Sequence, residues 1–283
     1  MSSTVLTVDF VNNQGRDLNT RPRLSTYIVP GGPARRLDFL GLTPTGLATR
    51  AASSFGKSDY KGLIFGVKRR MSHGLDLTVN YTLQKANSTI GTAVDELNAN
   101  NLQDATLLYD DPRVYGPATR VARHLLTVSA VVQVKGGIQL SSLFIFRTAL
   151  PLAITEGADL NRNSENNDIP LKAYEFDGVN ADGSANFKEI GDCKTWGCGR
   201  GAKQSQVNLR GSKRFNLHGT MAIEAFAEVF NLFNAKNPSA FTLTRTVSAG
   251  ARLNPNFLKP TTYSGDFQQP DQRVGQLGVR FTF

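Results

Sequence analysis

The histidines are the first side chains to consider for acid–base catalysis or metal binding, and the sequence contains three of them. His73 and His218 fall in predicted short turns, and His124 falls at the start of a predicted strand. A metal site needs several ligands at defined spacing, and a general base needs a positioned partner. No second ligand or nucleophile lies at such a spacing from any of these residues. We therefore interpret them as solvated turn and strand-end residues.

A second candidate site is the segment DLNRNSENND, in which side chains that carry oxygen alternate along a predicted loop. Alternating oxygen ligands in a loop can coordinate calcium. The residues are Asp159, Asn161, Asn163 and Glu165. An EF-hand would need glycine at the sixth position and glutamate at the twelfth, where this chain has Ser164 and Pro170. The segment is therefore not an EF-hand, and two interpretations stay open: a looser calcium site and a solvated polar loop.

The two cysteines lie close together in the segment CKTWGC, as Cys193 and Cys198. A structural zinc site uses four ligands, so this pair alone does not predict one. We predict a small loop disulfide, formed in an oxidising compartment. Two free thiols are the alternative.

Catalytic signatures are absent from the sequence. It contains no G-x-S-x-G, no P-loop, no H-E-x-x-H and no convincing triad spacing. The net charge is +9, but the basic residues are scattered, with only short pairs such as Arg35-Arg36 and Arg69-Arg70, and no nucleic-acid-binding motif accompanies them. We predict a protein that is not an enzyme, needs no cofactor and has no nucleic-acid partner.

The elements that position these residues follow from strict alternation of apolar and polar side chains. From Leu75 to Gln84, in LDLTVNYTLQ, every odd residue is apolar and every even residue is polar, as in a strand with two different faces. The pattern recurs in STVLTVDFV, YKGLIFGVKRR, LLTVSAVVQV, IQLSSLFIFR, QVNLRGSKRFN, MAIEAFAEVFNLF and VGQLGVRFTF. These are about eight strands of roughly ten residues, which is the roughly 9–11 that a tilted strand needs to cross a bilayer. Strands of globular proteins are usually shorter, about 5–6 residues.

The connections between these strands alternate between very short and very long. The short ones are RRMSHG, KGG and LHGT, and the long ones span about residues 12–52, 87–119, 149–204 and 234–271. Structureless loops of this length argue against a compact soluble domain. Outer-membrane barrels combine short periplasmic turns with long extracellular loops. We therefore predict an all-β, antiparallel transmembrane outer-membrane β-barrel with long extracellular loops and a periplasmic C-terminus.

Charged side chains concentrate on the polar row of the predicted strands. A charge that faces lipid at mid-membrane costs about 2–4 kcal/mol, so we expect this row to face the lumen. The predicted lumen-facing charges are Asp76, Arg147, Arg210, Arg214, Glu224, Glu228 and Arg280. A soluble sheet with one wet face would show the same alternation and is the alternative.

Several segments resemble TonB-dependent outer-membrane receptors, in particular their Oar-like branch. AEVFNLFNAKNPSAF resembles the E-x-x-N-L-F-N-x-x-N segment near the end of these receptors. YTLQKANST is similar to their Y-T-x-S-K-A segment, with Gln84 in place of serine, and VARHLLTVSAVVQV resembles their R-H-x-x-x-x-S strand. FRTALPLAITEGADLNRNSENNDIP is similar to a segment that ends in D-R-P, with Ile169 in place of arginine. The resemblance runs from about Ser53 to Phe283.

The resemblance implies that residues 1–283 are the C-terminal third of a barrel of roughly 22 strands. Family members also carry a signal peptide, a plug and often a regulatory-like domain. We expect the plug and the regulatory-like domain to be absent, because the resemblance covers only the C-terminal third of the barrel. We expect no signal peptide, because MSSTVLTVDF lacks a basic n-region and an apolar stretch. The implied function is receptor and transporter activity in the outer membrane, with TonB-dependent substrate uptake. The implied partners are outer-membrane lipid, the missing upstream strands and plug, the TonB complex and the barrel assembly machinery.

The last strand resembles the C-terminal signal that the assembly machinery reads. Its apolar row is Leu277, Val279, Phe281 and Phe283. In lipid, an open sheet edge leaves backbone groups unsatisfied, so the strands must close on themselves or join strands that this chain lacks. Two other functions stay open: a self-contained eight-stranded outer-membrane anchor or adhesin, and a soluble β-sandwich binding module.

Overall fold

In the computed structural model, the described residues form mostly antiparallel strands. It describes residues 4–20, 53–89, 112–158, 160, 168–248, 252–263 and 272–283. The strands are β1 (Thr4–Thr20), β2 (Ser53–Ser72), β3 (Leu75–Ser88), β4 (Gly116–Pro117), β5 (His124–Val134), β6 (Ile138–Arg147), β7 (Pro151–Leu152), β8 (Lys172–Val179), β9 (Ala185–Asp192), β10 (Gly199–Arg200), β11 (Gln204–Asn216), β12 (Ala222–Phe230), β13 (Pro238–Phe241), β14 (Thr246–Val247), β15 (Arg252–Leu253), β16 (Pro260–Tyr263) and β17 (Val274–Thr282). One 3₁₀ turn covers Pro112–Val114. The described residues include no helix that is both long and apolar enough to cross a membrane.

The long strands form one large sheet in the order β1-β2-β3-β5-β6-β11-β12-β17, with β4 added beside β3. Every neighbouring pair in this sheet is antiparallel. Each alternating segment of the sequence corresponds to one of these strands, which confirms the prediction of an all-β antiparallel fold. The first strand is longer than its alternation indicates, since β1 continues to Thr20 through irregular pairing near Leu18.

Tight turns join consecutive strands at one end of the sheet. Between β2 and β3, His73 and Gly74 have φ angles of 52° and 78°, as a type I′ hairpin turn requires. A Cβ atom at Gly74 would lie 2.6 Å from the carbonyl oxygen of Gln133, so glycine is also required by the close approach of β5. The turn between β5 and β6 likewise uses positive φ angles, at Gly136 and Gly137.

The pairing register sorts side chains onto two faces of the sheet, because residues opposite each other on neighbouring strands point the same way. One face carries a continuous apolar row: Leu6, Val67, Val79, Val128, Phe144 and Val207 are successive Cα partners from β1 to β11. The other face carries a more polar row: Asp76, Val131, Ser141, Arg210, Glu228 and Gln276 are successive partners from β3 to β17. We call these the apolar face and the polar face.

The long connections are folded, so the interpretation of residues 149–204 and 234–271 as structureless is wrong for their described parts. β7, β8, β9 and β10 form a four-stranded sheet, and β13–β16 and β14–β15 form two small sheets. Ile154, Phe257 and Leu258 are at most 1% exposed and form a core with Ala185. The connections fold because aromatic side chains from distant segments bury one another, a signal that alternation does not carry. We call this unit the connection domain.

The edges of the large sheet are β1 and β17. Both strands lie within the described part of the chain, where β1 pairs only with β2 and β17 only with β12. Apolar side chains at these edges are exposed, with Leu6 at 73% and Leu277 at 85%. The described strands therefore form an open sheet with two unpaired edges.

Candidate functional site

The polar face gathers every charged residue that the sequence assigned to one row. Asp76, Arg210 and Glu228 lie in the row described above, and Arg214, Glu224 and Arg280 are Cα partners in a parallel row nearer the short turns. Arg147 lies on the same face at the opposite end, where it partners Leu125 and Gln204. The two-residue period of a strand is sufficient to produce this sorting.

Arg210 is the centre of an ion-pair network across β11 and β12. Its Nη1 donates to Glu228 Oε1 at 2.7 Å, and its Nη2 donates to Glu224 Oε1 at 3.2 Å. The guanidinium carbon also lies 4.1 Å from the centre of the Phe226 ring. Arg280 on β17 extends the network, with its Nη1 4.0 Å from Glu224 Oε2. Since charge-assisted hydrogen bonds to fixed strands hold these groups in place, the polar face presents a preorganised charged surface.

Amide side chains form a second polar cluster where β6 and β11 leave the sheet. Arg147 Nε donates to Gln204 Oε1 at 2.7 Å, and Gln204 Nε2 donates to the Pro238 carbonyl oxygen at 2.7 Å. Asn237 exchanges two hydrogen bonds with the backbone of Ser205, at 3.0 and 3.1 Å. A cavity of about 230 Å³ lies here. Apart from Arg147, sequence reasoning missed this cluster, because these amides meet only when a long connection folds back on the sheet.

The asparagines of the NLFNAKN segment have structural roles. Asn231 has a φ of 49°, and its side chain accepts from the Ala235 amide at 2.9 Å and donates to the Ala235 carbonyl at 3.0 Å. Asn234 has a φ of 50°, and its Oδ1 accepts from the Arg273 amide at 3.1 Å. Asparagine adopts this left-handed conformation more readily than most residues. The segment therefore shapes the exit from β12.

Two ion pairs connect segments of the connection domain. Arg245 Nη2 and Nε donate to the two carboxylate oxygens of Glu156 at 2.6 and 2.8 Å, and this pairing raises the pKa of Arg245. Lys172 lies 3.0 Å from Asp192, which raises the pKa of Lys172 and lowers that of Asp192.

Cys193 and Cys198 are joined in a disulfide, which closes the loop beside Trp196. The described part of the chain contains no free cysteine.

The remaining predicted site residues are placed as follows. Asp159, Asn161, Asn163 and Glu165, the calcium candidates, lie outside the described residues. Leu277, Val279 and Phe281 share the apolar face of β17, and Phe283 directly follows the strand.

The three histidines differ in their surroundings, although the sequence predicts that all of them are solvated. The Nδ1 of His124 lies 2.8 Å from the Tyr81 hydroxyl, and His73 lies in the β2–β3 turn, with its Nδ1 3.0 Å from the Ser72 hydroxyl. His218 lies in the turn before β12. Among the described residues, no group of three or more His, Cys, Asp or Glu side chains could hold a metal ion.

Comparison with known proteins places this architecture in a family. Residues 1–253 match the family model of the outer membrane beta barrel domain. The chain belongs to this outer membrane β-barrel family. The fold is also similar to the crystal structure of the outer membrane transporter YddB from Escherichia coli, with a TM-score of 0.50 and 11% sequence identity over 99% of this chain. The chain spans about 30% of the length of that transporter. No curated protein matches the sequence.

Membership in this family confirms two predictions. The fold is that of an outer-membrane β-barrel domain, and the protein is located in the outer membrane. The soluble β-sandwich alternative is therefore wrong. The alternation of apolar and polar residues that suggested a sandwich is also what a sheet with one face toward lipid produces.

Proposed function

We propose that the chain is the C-terminal barrel region of a TonB-dependent receptor of the Oar-like type, which takes part in energised substrate uptake. The observation that carries this proposal is the open sheet, with unpaired edges at β1 and β17. Each unsatisfied backbone group in hydrocarbon costs several kcal/mol, so both edges need partner strands. The match to 30% of a transporter's length supports the same conclusion. The proposed partners are upstream barrel strands, a plug, the TonB complex and outer-membrane lipid.

In this proposal the tight turns lie in the periplasm and the connection domain lies outside the cell. The polar face then lines the lumen, where the Arg210 network gives a fixed charged wall. The amide cluster at Arg147 and Gln204 lies at the extracellular mouth of the same wall. The connection domain captures the substrate, and the energised step occurs in the plug. The protein acts without catalysis and without a cofactor, and nucleic acid is not a partner.

The apolar row of β17 has a separate proposed role in assembly. Leu277, Val279 and Phe281 point from the apolar face of an edge strand, where another protein can reach them. We assign this row and Phe283 as the segment that the barrel assembly machinery binds.

A refolding experiment tests whether the chain needs other strands. The isolated chain is refolded into detergent micelles and run on a gel with and without heating. We expect no compact, heat-shifted band, because an open sheet does not close by itself. In parallel, a tag in the Gly136–Gly137 turn allows purification from outer membranes. We expect a plug-bearing polypeptide to co-purify, and isolation of the chain alone as a compact monomer contradicts the proposal.

A self-contained anchor or adhesin is the second candidate function. It is favoured by the connection domain, which has its own core and a disulfide and so forms a stable surface for contacts outside the cell. This function requires β1 to pair with β17. A heat-shifted band from the isolated chain would support it and exclude the receptor proposal.

A further inference from the structure

A cavity of about 460 Å³ lies at the long-connection end of β2 and β3. Its strand residues come from both faces of the sheet, since Gly62, Gln84 and Ala86 alternate with lining residues of the apolar face. Phe10, Leu63 and Leu83 line it and are successive Cα partners on β1, β2 and β3. Lys61 and Lys85 line it one alternation further from the tight turn and are also Cα partners. The cavity therefore lies where the apolar face changes from aliphatic to basic.

The depth of this change matches a membrane boundary. β3 begins at Leu75, directly after the tight turn, and Lys85 is the eleventh residue of that strand. A tilted strand needs about 9–11 residues to cross the hydrocarbon layer. With the tight turns in the periplasm, Lys85 and its partner Lys61 lie at the outer edge of this layer. Lysine is suited to that position, because its methylene stem packs on apolar surface while the ammonium reaches the headgroups.

Two arginines add to the positive charge of the same cavity. Arg123, just before β5, and Arg200, on β10 of the connection domain, both line it. Among the described residues, no ion pair involves Lys61, Lys85 or Arg123. Cations gathered around one cavity repel one another and attract an anion from solution or from a membrane surface.

Two described carboxylates, Asp59 and Glu175, interact with cations of this cavity, and each also pairs with a cation outside it. Asp59 lies two residues from Lys61, accepts from Arg16 Nη2 at 2.8 Å and is also hydrogen-bonded by Tyr115. Glu175 partners Arg200 in the strand register, but its Oε2 also lies 3.5 Å from Lys188 Nζ. The described residues that line the cavity include four cations and no carboxylate, so this lining carries an excess of positive charge.

We propose that this cavity binds the phosphate-bearing headgroup of an anionic lipid in the outer leaflet. Lysine and arginine provide the charge and the hydrogen-bond donors that a phosphate needs. The adjacent apolar side chains of Phe10, Leu63 and Leu83 provide a surface for the first part of an acyl chain. Dissolved phosphate has no apolar part that could contact these side chains, whereas a lipid has an acyl chain. The apolar surface therefore favours a lipid as the ligand. The proposal shares only the orientation of the strands with the proposed function.

The test measures lipid binding to the protein as extracted from outer membranes in dodecyl maltoside, together with any strands that pair with it there. Dihexanoyl phosphatidic acid, dihexanoyl phosphatidylcholine and inorganic phosphate are titrated separately. Because a basic residue near an anionic surface contributes about 1 kcal/mol, we expect Lys61→Gln with Lys85→Gln to weaken phosphatidic acid binding roughly tenfold to thirtyfold. Lys61→Arg with Lys85→Arg keeps both charges and should bind as the wild type does. The matched control, Lys68→Gln with Lys213→Gln, removes two charges near the tight turns and should change nothing.

The outcomes separate the possibilities. Equal phosphatidic acid binding by the wild type and the double glutamine variant overturns the proposal. Inorganic phosphate that competes as well as phosphatidic acid shows a free-anion site and overturns the lipid assignment. Equal binding of phosphatidylcholine shows that charge does not contribute and also overturns it. Since the measurement is headgroup binding, its result does not depend on whether the protein transports a substrate.

Discussion

Arg245 and Glu156 show how a single pair of residues organises the connection domain. The two residues are 89 positions apart in sequence and form a bidentate ion pair. The side chain of Glu156 is 8% exposed, while that of Arg245 is 30% exposed. The backbone adds to the link, because the amide of Thr246 donates to the Glu156 carbonyl at 2.8 Å. Two long connections are therefore joined at this point.

Substituting Arg245 by Ala should destabilise the connection domain without unfolding the large sheet. Removing one partner of a fully buried ion pair costs about 3–5 kcal/mol. We expect about 2 kcal/mol here, because Arg245 keeps contact with solvent. The measurement is hydrogen exchange at the Leu258 amide, which donates to the Thr242 carbonyl at 2.8 Å.

Lys188→Ala is the matched control for Arg245→Ala, because it removes an exposed ion pair with Glu175 in the same domain. Exposed pairs contribute about 0–1 kcal/mol, so this variant should behave almost as the wild type. Equal exchange rates at the Leu258 amide in the two variants would show that the Arg245–Glu156 pair does not hold the domain together.

Tyr115 gives a prediction for alkaline pH. Burial and a hydrogen bond to Asp59 raise the pKa of Tyr115 from 10.0 to about 12. The neutral phenol is favoured in the folded state, so its contribution to stability is complete below about pH 10 and is lost as the pH rises through about 12. The absorbance of tyrosinate, followed as the pH is raised, measures the ionisation of this phenol.

We expect a late titration step in the wild type that Tyr115→Phe removes. Tyr263, which is exposed, is the control, and Tyr263→Phe should leave the late step in place. A wild-type titration that lacks the late step contradicts the burial of the Tyr115 phenol.

At the scale of elements, the packing of β12 against β17 depends on a glycine. Gly278 is the Cα partner of Phe226, and a Cβ atom at Gly278 would lie 2.2 Å from the Phe226 ring. The ring cannot move freely, because Arg210 lies against its face at 4.1 Å. The last strand, the aromatic ring and the ion-pair network therefore pack as one layer.

Gly278→Ala should weaken the docking of β17, because the added methyl group displaces the Phe226 ring from Arg210. Overpacking of this kind costs about 1–3 kcal/mol. Gly275→Ala is the matched control, since a Cβ atom there would meet only the Glu228 carbonyl oxygen, at 3.9 Å. Hydrogen exchange of the β17 amides compares the variants. Faster exchange in Gly275→Ala than in Gly278→Ala would contradict this account of the packing.

At the scale of the whole molecule, the question is whether the two edges of the open sheet, β1 and β17, pair with each other. Val8 on β1 and residues of β17 lie on opposite edges of the sheet. We expect Val8→Cys to form no disulfide with Leu277→Cys, Val279→Cys or Phe281→Cys, tested one pair at a time to cover different registers. The positive control is Ala225→Cys with Val279→Cys, because these residues are Cα partners in neighbouring strands.

The cross-linking is done on protein in outer membranes and is read as a mobility shift on a non-reducing gel. A cross-link between β1 and β17 at any register would show that the strands close on themselves. That result would favour the anchor or adhesin over a receptor.

The sequence by itself determined the strands, their faces and the positions of the tight turns. These features follow from a period of two and from glycines in left-handed turns, and a one-residue slip would exchange the two faces completely. It also placed Arg210, Glu224 and Glu228 on one face before any contact was known. The alternation did not predict that β1 continues beyond its alternating part.

Only the tertiary structure decided how the long connections fold and which residues they bring together. The Arg245–Glu156 pair, the Gln204–Asn237 cluster and the basic cavity at Lys61 and Lys85 join segments far apart in sequence. No periodic pattern predicts these long-range contacts, because they depend on how aromatic side chains of the irregular connections pack together. Alternation is a local property of a strand that meets two environments, whereas these sites exist only where separate connections meet.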